Sequence, residues 1–538
     1  MRRVFSLRVV LAALLLLAVL GCVRSNLVDP EYRKAYSRLV RPVFTPDTWW
    51  QLLAGEEILQ TGSVPRVDSY SFTVAGHEWV AYQWLGEVLM ALTHHLGGLQ
   101  GLVALTLVLS AVLMFLLYYL AWQRCGNVFA AFLACVLVMP LLVVSFTLRP
   151  QVLGYAFFLI TLICLERFRR GEARALWLLP PVFLLWVNIH GTFLFGLLVL
   201  GLYWVSGLVE FRCGFLTAQR WSLRQRRHLL VVILLSIVAL TLTPYGTRLA
   251  AYPLELSLLQ PLNVGLISEW QPVPLDVWWG KWAGLLLLLF LFGQVIFPLS
   301  WRVEEMALLL GAGYAGFVHQ RMIVVLALVL APFLAVALAP PVAGLARWTR
   351  NYRPAREYLA LNVGVLVLIA ALTVVFLPSR QEIDQAIAGH YPRGAVEYLR
   401  RHPVEAPMLN VLHWGGYLTW ELGPEHKVFI DSRIDIYEYA GVFTDYLDIV
   451  EARPRALFLL EKYGVEACLL HRWYPLATFL AAQPDWRSVY ADEMSVLYVH
   501  ESKRLMSVSA VAGANANSPS LGPNPAPITK PDREAIWQ

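Results

Sequence analysis

The feature that most limits what this chain can fold into is a series of long apolar runs across its first 377 residues. An apolar run of roughly 17–25 residues is long enough to cross a lipid bilayer as a helix. Eleven such runs are found, at residues 5–23, 101–121, 127–148, 151–167, 174–189, 192–211, 229–245, 281–299, 304–318, 322–340 and 357–377. Two of them, 174–189 and 304–318, are short, so the predicted number is eleven within two. The sequence therefore predicts an α-helical polytopic membrane protein.

Composition supports this prediction and argues against several other classes of protein. Hydrophobic residues make up 58% and charged residues 15% of the 538 positions, whereas soluble domains carry roughly 25% charge. The six cysteines form no CxxC pair and no Cys/His zinc spacing, so neither a disulfide framework nor a thiolate metal site is expected. The sequence contains no nucleotide-binding, hydrolase or zinc-protease motif. Its basic residues lie at membrane edges, so no nucleic-acid partner is predicted.

The positions of Lys and Arg predict the orientation, because cytoplasmic loops carry an excess of positive charge. With the N-terminus inside, the inner loops hold the basic segments Arg124, 166–174, 219–228, Arg302 and 347–356. Eleven helices then place residues 378–538 outside the cytoplasm. We expect a multi-pass protein of the inner (cytoplasmic) membrane, surrounded by membrane lipids. The stretch "VLGC" resembles a lipobox that would acylate Cys22, but an uncleaved first helix is the preferred interpretation.

Three parts are predicted along the chain. Residues 1–377 form a transmembrane domain with a first outer loop at 24–100. Residues 378–503 form a soluble, extracytoplasmic α/β domain, because strand-like segments such as "KVFIDS" and "VEACLLH" alternate with helical ones. Residues 504–538 are rich in Ser, Ala, Asn and Pro and are predicted to be disordered.

The first outer loop is long and carries many acidic and aromatic residues, although a loop that only joins two helices is usually short. Asp47 stands near its start, in the sequence Thr45-Pro46-Asp47. These three residues are typical of a helix start, with Thr as the N-cap, Pro at the first position and Asp near the positive end of the helix dipole. Asp47 is also a candidate catalytic carboxylate, and the two interpretations are compatible.

Three stretches together resemble a known superfamily. They are "DTWW" (Asp47–Trp50), "PRVDSYSFT" (Pro65–Thr73) and "WVNIHG" (Trp186–Gly191). In this order they resemble the GT-C-type integral-membrane glycosyltransferases, most closely a poorly characterised bacterial branch. The resemblance covers the architecture of residues 1–380 and also "GGYLTW" and "KVFIDSR" further on. It implies transfer of a sugar from a polyprenyl-phosphate carrier to a glycan, lipid or protein acceptor on the non-cytoplasmic face.

The resemblance also implies roles for residues of the loop. Asp47 matches the acid that follows the first helix in this superfamily, and a carboxylate there can take the proton of the attacking acceptor. Many members place a second acid nearby, for which Asp68, Glu57 and Glu87 remain open alternatives. Trp50 is a candidate for substrate binding. The leaving lipid phosphate is best met by Arg, His or a divalent metal ion, but the sequence shows no fixed set of metal ligands.

Charged residues at the outer ends of helices are the other candidates for substrate binding, because ionisable groups in membrane segments are costly. Four of them are predicted to ring one site: Arg149, His190, His319 and Arg321. The alternatives are interfacial side chains or caps and, for His190, a core histidine bonded to Asn188 or to a carbonyl. In "VFIDSRIDIY", Asp431 and Arg433 are interpreted as a structural ion pair, with acceptor binding as an alternative for this region.

Two functions of other classes compete with sugar transfer. A transporter of lipid-linked glycans would favour an internal repeat and charges at mid-membrane, and the sequence shows neither. A non-catalytic scaffold with the same fold stays open, because "DTWW" departs from the acidic pair that is commoner after the first helix.

Overall fold

The computed structural model describes residues 6–28, 43–297, 299–345, 359–404, 406–423 and 425–501. The predicted disordered tail at 504–538 and the basic loop at 347–356 lie outside these ranges. Helices dominate the first three quarters of the described chain. They are α1 (Leu7–Val28), α2 (Pro46–Thr61), α3 (Trp84–Cys125), α4 (Val128–Leu142), α5 (Gln151–Arg169), α6 (Leu179–Val187), α7 (Phe193–Ser206), α8 (Leu223–Ala239), α9 (Arg248–Leu259), α10 (Pro261–Leu266), α11 (Trp278–Ile296), α12 (Val303–Val318), α13 (Ile323–Leu345) and α14 (Leu359–Val375).

Six helices of the described chain are long and apolar enough to cross a membrane, or up to seven if a bent pair at Asn362–Val375 and Arg380–Ala388 is one span. The multi-pass helical prediction is therefore confirmed, whereas the number eleven is not. Four predicted spans are not among these helices: 174–189, 192–211, 229–245 and 304–318. The predicted spans at 174–189 and 192–211 become the shorter apolar helices Ala173–Val187 and Phe193–Ser206, separated by a turn that contains Asn188 and His190.

The C-terminal part combines helices with a four-stranded sheet in the order β4-β5-β7-β6. Its strands are β4 (Met408–Asn410), β5 (Ala467–His471), β6 (Trp486–Ala491) and β7 (Ser495–His500). Its helices are α15 (Arg380–Ala388), α16 (Arg393–Arg401), α17 (Gly415–Leu422), α18 (Ile434–Tyr439), α19 (Val442–Val450), α20 (Ala456–Lys462) and α21 (Pro475–Ala481). Strands β4 and β5 are parallel, and β7 is antiparallel to both of its neighbours. A separate small sheet joins β1 (Phe211–Cys213), β2 (Leu216–Ala218) and β3 (Trp301–Arg302).

The first outer loop packs directly on the C-terminal part. The segment "KVFIDS" is not a strand of the four-stranded sheet; instead Val428 forms an isolated bridge with Ser71 of the loop. The backbone N–H of Phe72 donates to the Val428 carbonyl oxygen at 3.0 Å, and the Val428 N–H donates to the Tyr70 carbonyl oxygen at 3.1 Å. In α2, the ring of Trp49 is fully buried and packs edge-on against Tyr417 of α17. The loop and the C-terminal part thus share one interior.

A buried ion triad holds this contact. The Arg433 guanidinium lies 2.6 Å from Asp68 and 2.6 Å from Asp431, and all three side chains are at most 1% exposed. The rings of Tyr70 and Trp79 lie 4.8 and 4.6 Å from the same guanidinium. Asp431 and Arg433 are therefore a structural ion pair, to which the first loop adds a second carboxylate.

The two ends of α5 lie in different polar environments. At its C-terminal end Arg169 forms ion pairs with Glu304 and with Glu305, and Arg124 lies 2.8 Å from the same Glu305. At its N-terminal end Gln151 lines the large cavity described below. With a rise of 1.5 Å per residue, the two ends are separated by ~27 Å, close to the ~30 Å thickness of a bilayer core.

Candidate functional site

A cavity of about 800 Å³ opens where the first outer loop, several helix ends and the C-terminal part meet. One part of its wall is polar and the rest is apolar. The apolar part is made mainly by α7, α9 and α10, with Leu194, Phe195, Leu198, Leu254 and Val264 among the lining residues. The polar part holds four of the eight candidate residues, Asp47, Arg149, His190 and Arg321.

Asp47 reaches the cavity from the first turn of α2. Thr45 is the N-cap, with φ −83° and ψ 164°, and its backbone N–H donates to the Thr48 hydroxyl at 3.0 Å. Pro46 and Asp47 follow as the first two helical residues, and both line the cavity. Asp47 therefore starts a helix and also faces the cavity, so the two interpretations of this stretch hold together.

Arg149 joins two carboxylates at the cavity wall. It lies in the turn between α4 and α5, and its guanidinium binds Asp47 at 2.7 Å and Glu269 at 2.9 Å. Burial on its own would lower the pKa of Arg149, but Glu269 and Asp47 outweigh it and raise that pKa. Arg149 is thus a fixed cation. Sequence reasoning did not identify Glu269, because nothing local connects it to Arg149, which lies 120 positions away.

Arg321 is a cation of a different kind. Its guanidinium lies 4.2 Å from the centre of the Trp270 ring, and both residues line the cavity. No acidic side chain of the described chain forms an ion pair with it. His319 does not line the cavity; its Nδ1 lies 2.6 Å from the Trp270 carbonyl oxygen, so it supports the Trp270 backbone instead.

His190 is a neutral hydrogen-bonding group of the cavity. Its Nδ1 accepts from the backbone N–H of Thr192 at 3.2 Å, which leaves the ring proton on Nε2. Burial, followed by the charges of Arg321 and Arg149, lowers the pKa of His190 to about 3. The alternative of a core histidine bonded to Asn188 does not match, because the Asn188 side chain is bonded to Trp84 and to the Leu184 carbonyl oxygen.

Besides His319, three predicted residues lie outside the cavity lining. Asp68 is 2% exposed and belongs to the ion triad with Arg433. Glu87 is fully buried in the α2–α3 interface, and neither of its carboxylate oxygens has a hydrogen-bond partner among the described residues. A general base must come within hydrogen-bond reach of the acceptor, so the geometry favours neither acid as a second base. Trp50 also lies outside the lining, although its Nε1–H donates to the lining residue Ser432 at 3.0 Å.

The C-terminal part forms the remaining wall of the cavity. The sequence indicates a binding role for this region only as an alternative to a structural one. Ser432 and Asp435 line the cavity. The Tyr252 hydroxyl of α9 donates to Asp435 at 2.5 Å, and the Gln260 side chain donates to the Asp435 carbonyl oxygen at 3.2 Å. In the sequence, the acidic residues after "KVFI" are the only indication of this wall. The partners of Asp435, Tyr252 and Gln260, lie some 180 residues earlier in the chain.

The residues of the cavity do not form a metal site as they stand. Across the described ranges no group of three or more His, Cys, Asp and Glu side chains is placed to hold an ion. Two carboxylates of the cavity share one partner: Asp47 and Glu269 both bind the Arg149 guanidinium.

Solved structures show what the fold is. The chain is similar to the oligosaccharyltransferase of Archaeoglobus fulgidus tethered with an acceptor peptide (13% identity, TM-score 0.51, 85% of this chain and 69% of that chain). It is similar to the same organism's AglB in complex with an inhibitory peptide and a dolichol-phosphate (14%, 0.51, 85% and 69%). ArnT from Cupriavidus metallidurans bound to undecaprenyl phosphate follows with 14% identity and a TM-score of 0.46 over 91% of this chain and 97% of that one.

No protein-family model matches the sequence, and no curated protein is significantly similar to it. At identities of 13–14% the structural matches establish the fold. The same fold was implied by the stretches Asp47–Trp50, Pro65–Thr73 and Trp186–Gly191. The chain therefore has the fold of these oligosaccharyltransferase structures, in agreement with the fold that the resemblance to GT-C-type glycosyltransferases implies.

Proposed function

We propose that this protein transfers a sugar from a polyprenyl-phosphate carrier to an acceptor on the extracytoplasmic face of the inner membrane. The observation that carries the proposal is the convergence of Asp47, Arg149, His190 and Arg321 in one cavity that also has an apolar wall. A lipid phosphate needs a cationic surface for its phosphate group and an apolar surface for its prenyl chain. The acceptor needs a carboxylate nearby that can take its proton.

The phosphate group of the donor is assigned to Arg321. Because no described carboxylate neutralises this guanidinium, an anionic ligand gains a full charge-assisted hydrogen bond there. The Nε2–H of neutral His190 supplies a second donor in the same cavity. The prenyl chain lies along the apolar wall formed by residues such as Leu194, Phe195 and Leu254.

Asp47 is assigned as the base. As the acceptor atom forms its bond to the anomeric carbon, the bond between that carbon and the phosphate oxygen breaks, the acceptor proton passes to Asp47 and the lipid phosphate leaves as an anion held by Arg321. Arg149 positions Asp47, since it stays anchored to Glu269 while it binds Asp47. Glu269, rather than Asp68 or Glu87, is then the second acid of the site.

The experiment is transfer of radiolabelled sugar from a panel of polyprenyl-phosphate donors in membranes, with wild type and Asp47→Asn at matched expression. General-base catalysis contributes about 10²–10⁴-fold, so we expect labelled product to fall by at least about a hundred-fold. Asp276→Asn is the control, because Asp276 is exposed on the neighbouring loop and does not line the cavity. Unchanged transfer by Asp47→Asn would remove Asp47 as the base. No transfer by wild type from any donor would favour a scaffold or a transporter.

A further inference from the structure

The C-terminal part supplies a wall of the cavity that contains neither Lys nor Arg. Its lining residues are Leu412, His413, Ser432, Ile434 and Asp435. The two arginines that line the cavity, Arg149 and Arg321, come from the membrane part of the chain. The wall formed by the C-terminal part is therefore suited to the other substrate, the acceptor.

Asp435 is a buried carboxylate without an ion pair. Asp435 is only 8% exposed. No Lys or Arg of the described chain forms an ion pair with it. The neighbouring cation, Arg433, is already held by Asp431 and Asp68. The Tyr252 hydroxyl donates a hydrogen bond to Oδ2, and backbone N–H groups of Asp435 and Ile436 at the start of α18 also support the carboxylate. A buried carboxylate is costly unless further donors bind it, so a ligand with a hydrogen-bond donor is favoured here.

The Ser432 hydroxyl offers a hydrogen-bond donor that complements the Asp435 carboxylate. Its Oγ accepts from the Nε1–H of Trp50 at 3.0 Å. Among the residues that the structure describes, none accepts the hydroxyl proton of Ser432. Ser432 and Asp435 thus present one free donor and one free acceptor to the same cavity.

We infer that Ser432 and Asp435 form the acceptor subsite and that the acceptor is an uncharged sugar or other polyol. This inference rests on the proposed function. A hydroxyl group donates one hydrogen bond and accepts another, which matches this pair of side chains. An ammonium group has no acceptor for the Ser432 proton, and a phosphate or carboxylate is repelled by Asp435. An amide matches the pair as well, but the lone pair of its nitrogen is delocalised into the carbonyl group, which makes that nitrogen a poorer nucleophile than a hydroxyl oxygen.

The test uses the full-length protein in lipid nanodiscs and separates the two substrates. Donor binding is followed with tritiated polyprenyl phosphate. Acceptor binding is followed by saturation-transfer NMR with methyl glycosides and glycerol, against an asparagine peptide and a lysine ester. The variants are Asp435→Asn and Ser432→Ala, the second of which removes the donor without changing any charge. Asp445→Asn is the matched control in the same part of the chain, because Asp445 binds Lys462 and Tyr463 away from the cavity.

We expect the hydroxyl compounds to bind wild type. Asp435→Asn should weaken that binding by about ten-fold or more and Ser432→Ala by a few-fold, with polyprenyl-phosphate binding unchanged in both. Preferential binding of the peptide or the lysine ester would overturn the inference, as would unaltered hydroxyl binding in both variants or no hydroxyl binding at all. If wild type binds polyols through Asp435 but transfers no sugar to them, the acceptor subsite stands and the proposed transfer fails.

Discussion

At the scale of single residues, one guanidinium decides what the cavity can bind. Arg149 is shared between Asp47 and Glu269, so its charge is already compensated. Arg321 stacks on Trp270 and has no carboxylate partner in the described chain. Arg321 is therefore the cavity arginine that no carboxylate of the described chain pairs with, although in the sequence both arginines stand in equivalent positions at helix ends.

Replacing Arg321 should remove the donor's phosphate contact. A hydrogen bond to a charged group contributes about 1.5–3 kcal/mol, so we expect Arg321→Gln to weaken binding of polyprenyl phosphate by roughly 10- to 150-fold. Equilibrium binding of tritiated lipid to nanodiscs measures this. Arg248→Gln serves as the control, since Arg248 is paired with Glu78 and does not line the cavity. Equal affinities of Arg321→Gln and wild type would refute the assignment of the phosphate.

His190 gives a prediction about pH. Its pKa is lowered from 6.5 to about 3, so between these values the unfolded chain binds a proton that the folded protein does not. Stability then rises with pH across this window and is lost as the pH falls below 6.5. We expect His190→Gln to lose less thermal stability than wild type between about pH 7 and about pH 5. If the unfolding temperatures of the two proteins fell by the same amount over this pH range, the burial of a neutral histidine would be contradicted.

At the scale of elements, the contact between the first outer loop and the C-terminal part organises the site. The helix start at Thr45-Pro46-Asp47 could be predicted, because caps depend on adjacent residues. The ion pair of Asp431 and Arg433 could also be predicted, but its contact with Asp68 could not, because Asp68 lies more than 360 positions earlier and joins the pair only after the chain has folded. The same distance explains why the sequence presents Asp68 as a catalytic candidate: without its partner, a buried structural carboxylate cannot be distinguished from a catalytic one.

Breaking this triad should loosen the C-terminal part. Removing one partner of a buried ion pair typically costs about 3–5 kcal/mol, so we expect Asp68→Asn to lower the unfolding temperature and to make the C-terminal part more sensitive to protease. Polyprenyl-phosphate binding should survive in the fraction that stays folded, because Asp68 does not line the cavity. Asp276→Asn again provides an exposed control. A catalytic Asp68 would show the reverse pattern, with normal stability and lost transfer.

At the scale of the whole molecule, two polar sites lie at opposite ends of α5, the cavity at Gln151 and the ion-pair cluster at Arg169. Alternation of Lys and Arg along the sequence predicted this separation, since Arg124 and Arg169 were assigned to one side and Arg149 to the other. The number of helices was harder to predict, because an apolar run does not reveal whether it crosses the membrane once or breaks, as residues 174–211 do around Asn188.

The proposed orientation can be tested with cysteine labelling. Cys213 is exposed at the end of β1, near the basic segment 219–228 that the orientation places inside. Ser488 is exposed on β6 of the C-terminal part, which the orientation places outside. In intact cells, a membrane-impermeant maleimide should label Ser488→Cys in a Cys213→Ser background and leave Cys213 of the wild type unlabelled. Both sites should react once the membrane is permeabilised, which controls for accessibility. Because the cavity is lined by Ser432 and Asp435 of the C-terminal part, labelling of Cys213 alone in intact cells would put the cavity in the cytoplasm and exclude transfer on the outer face.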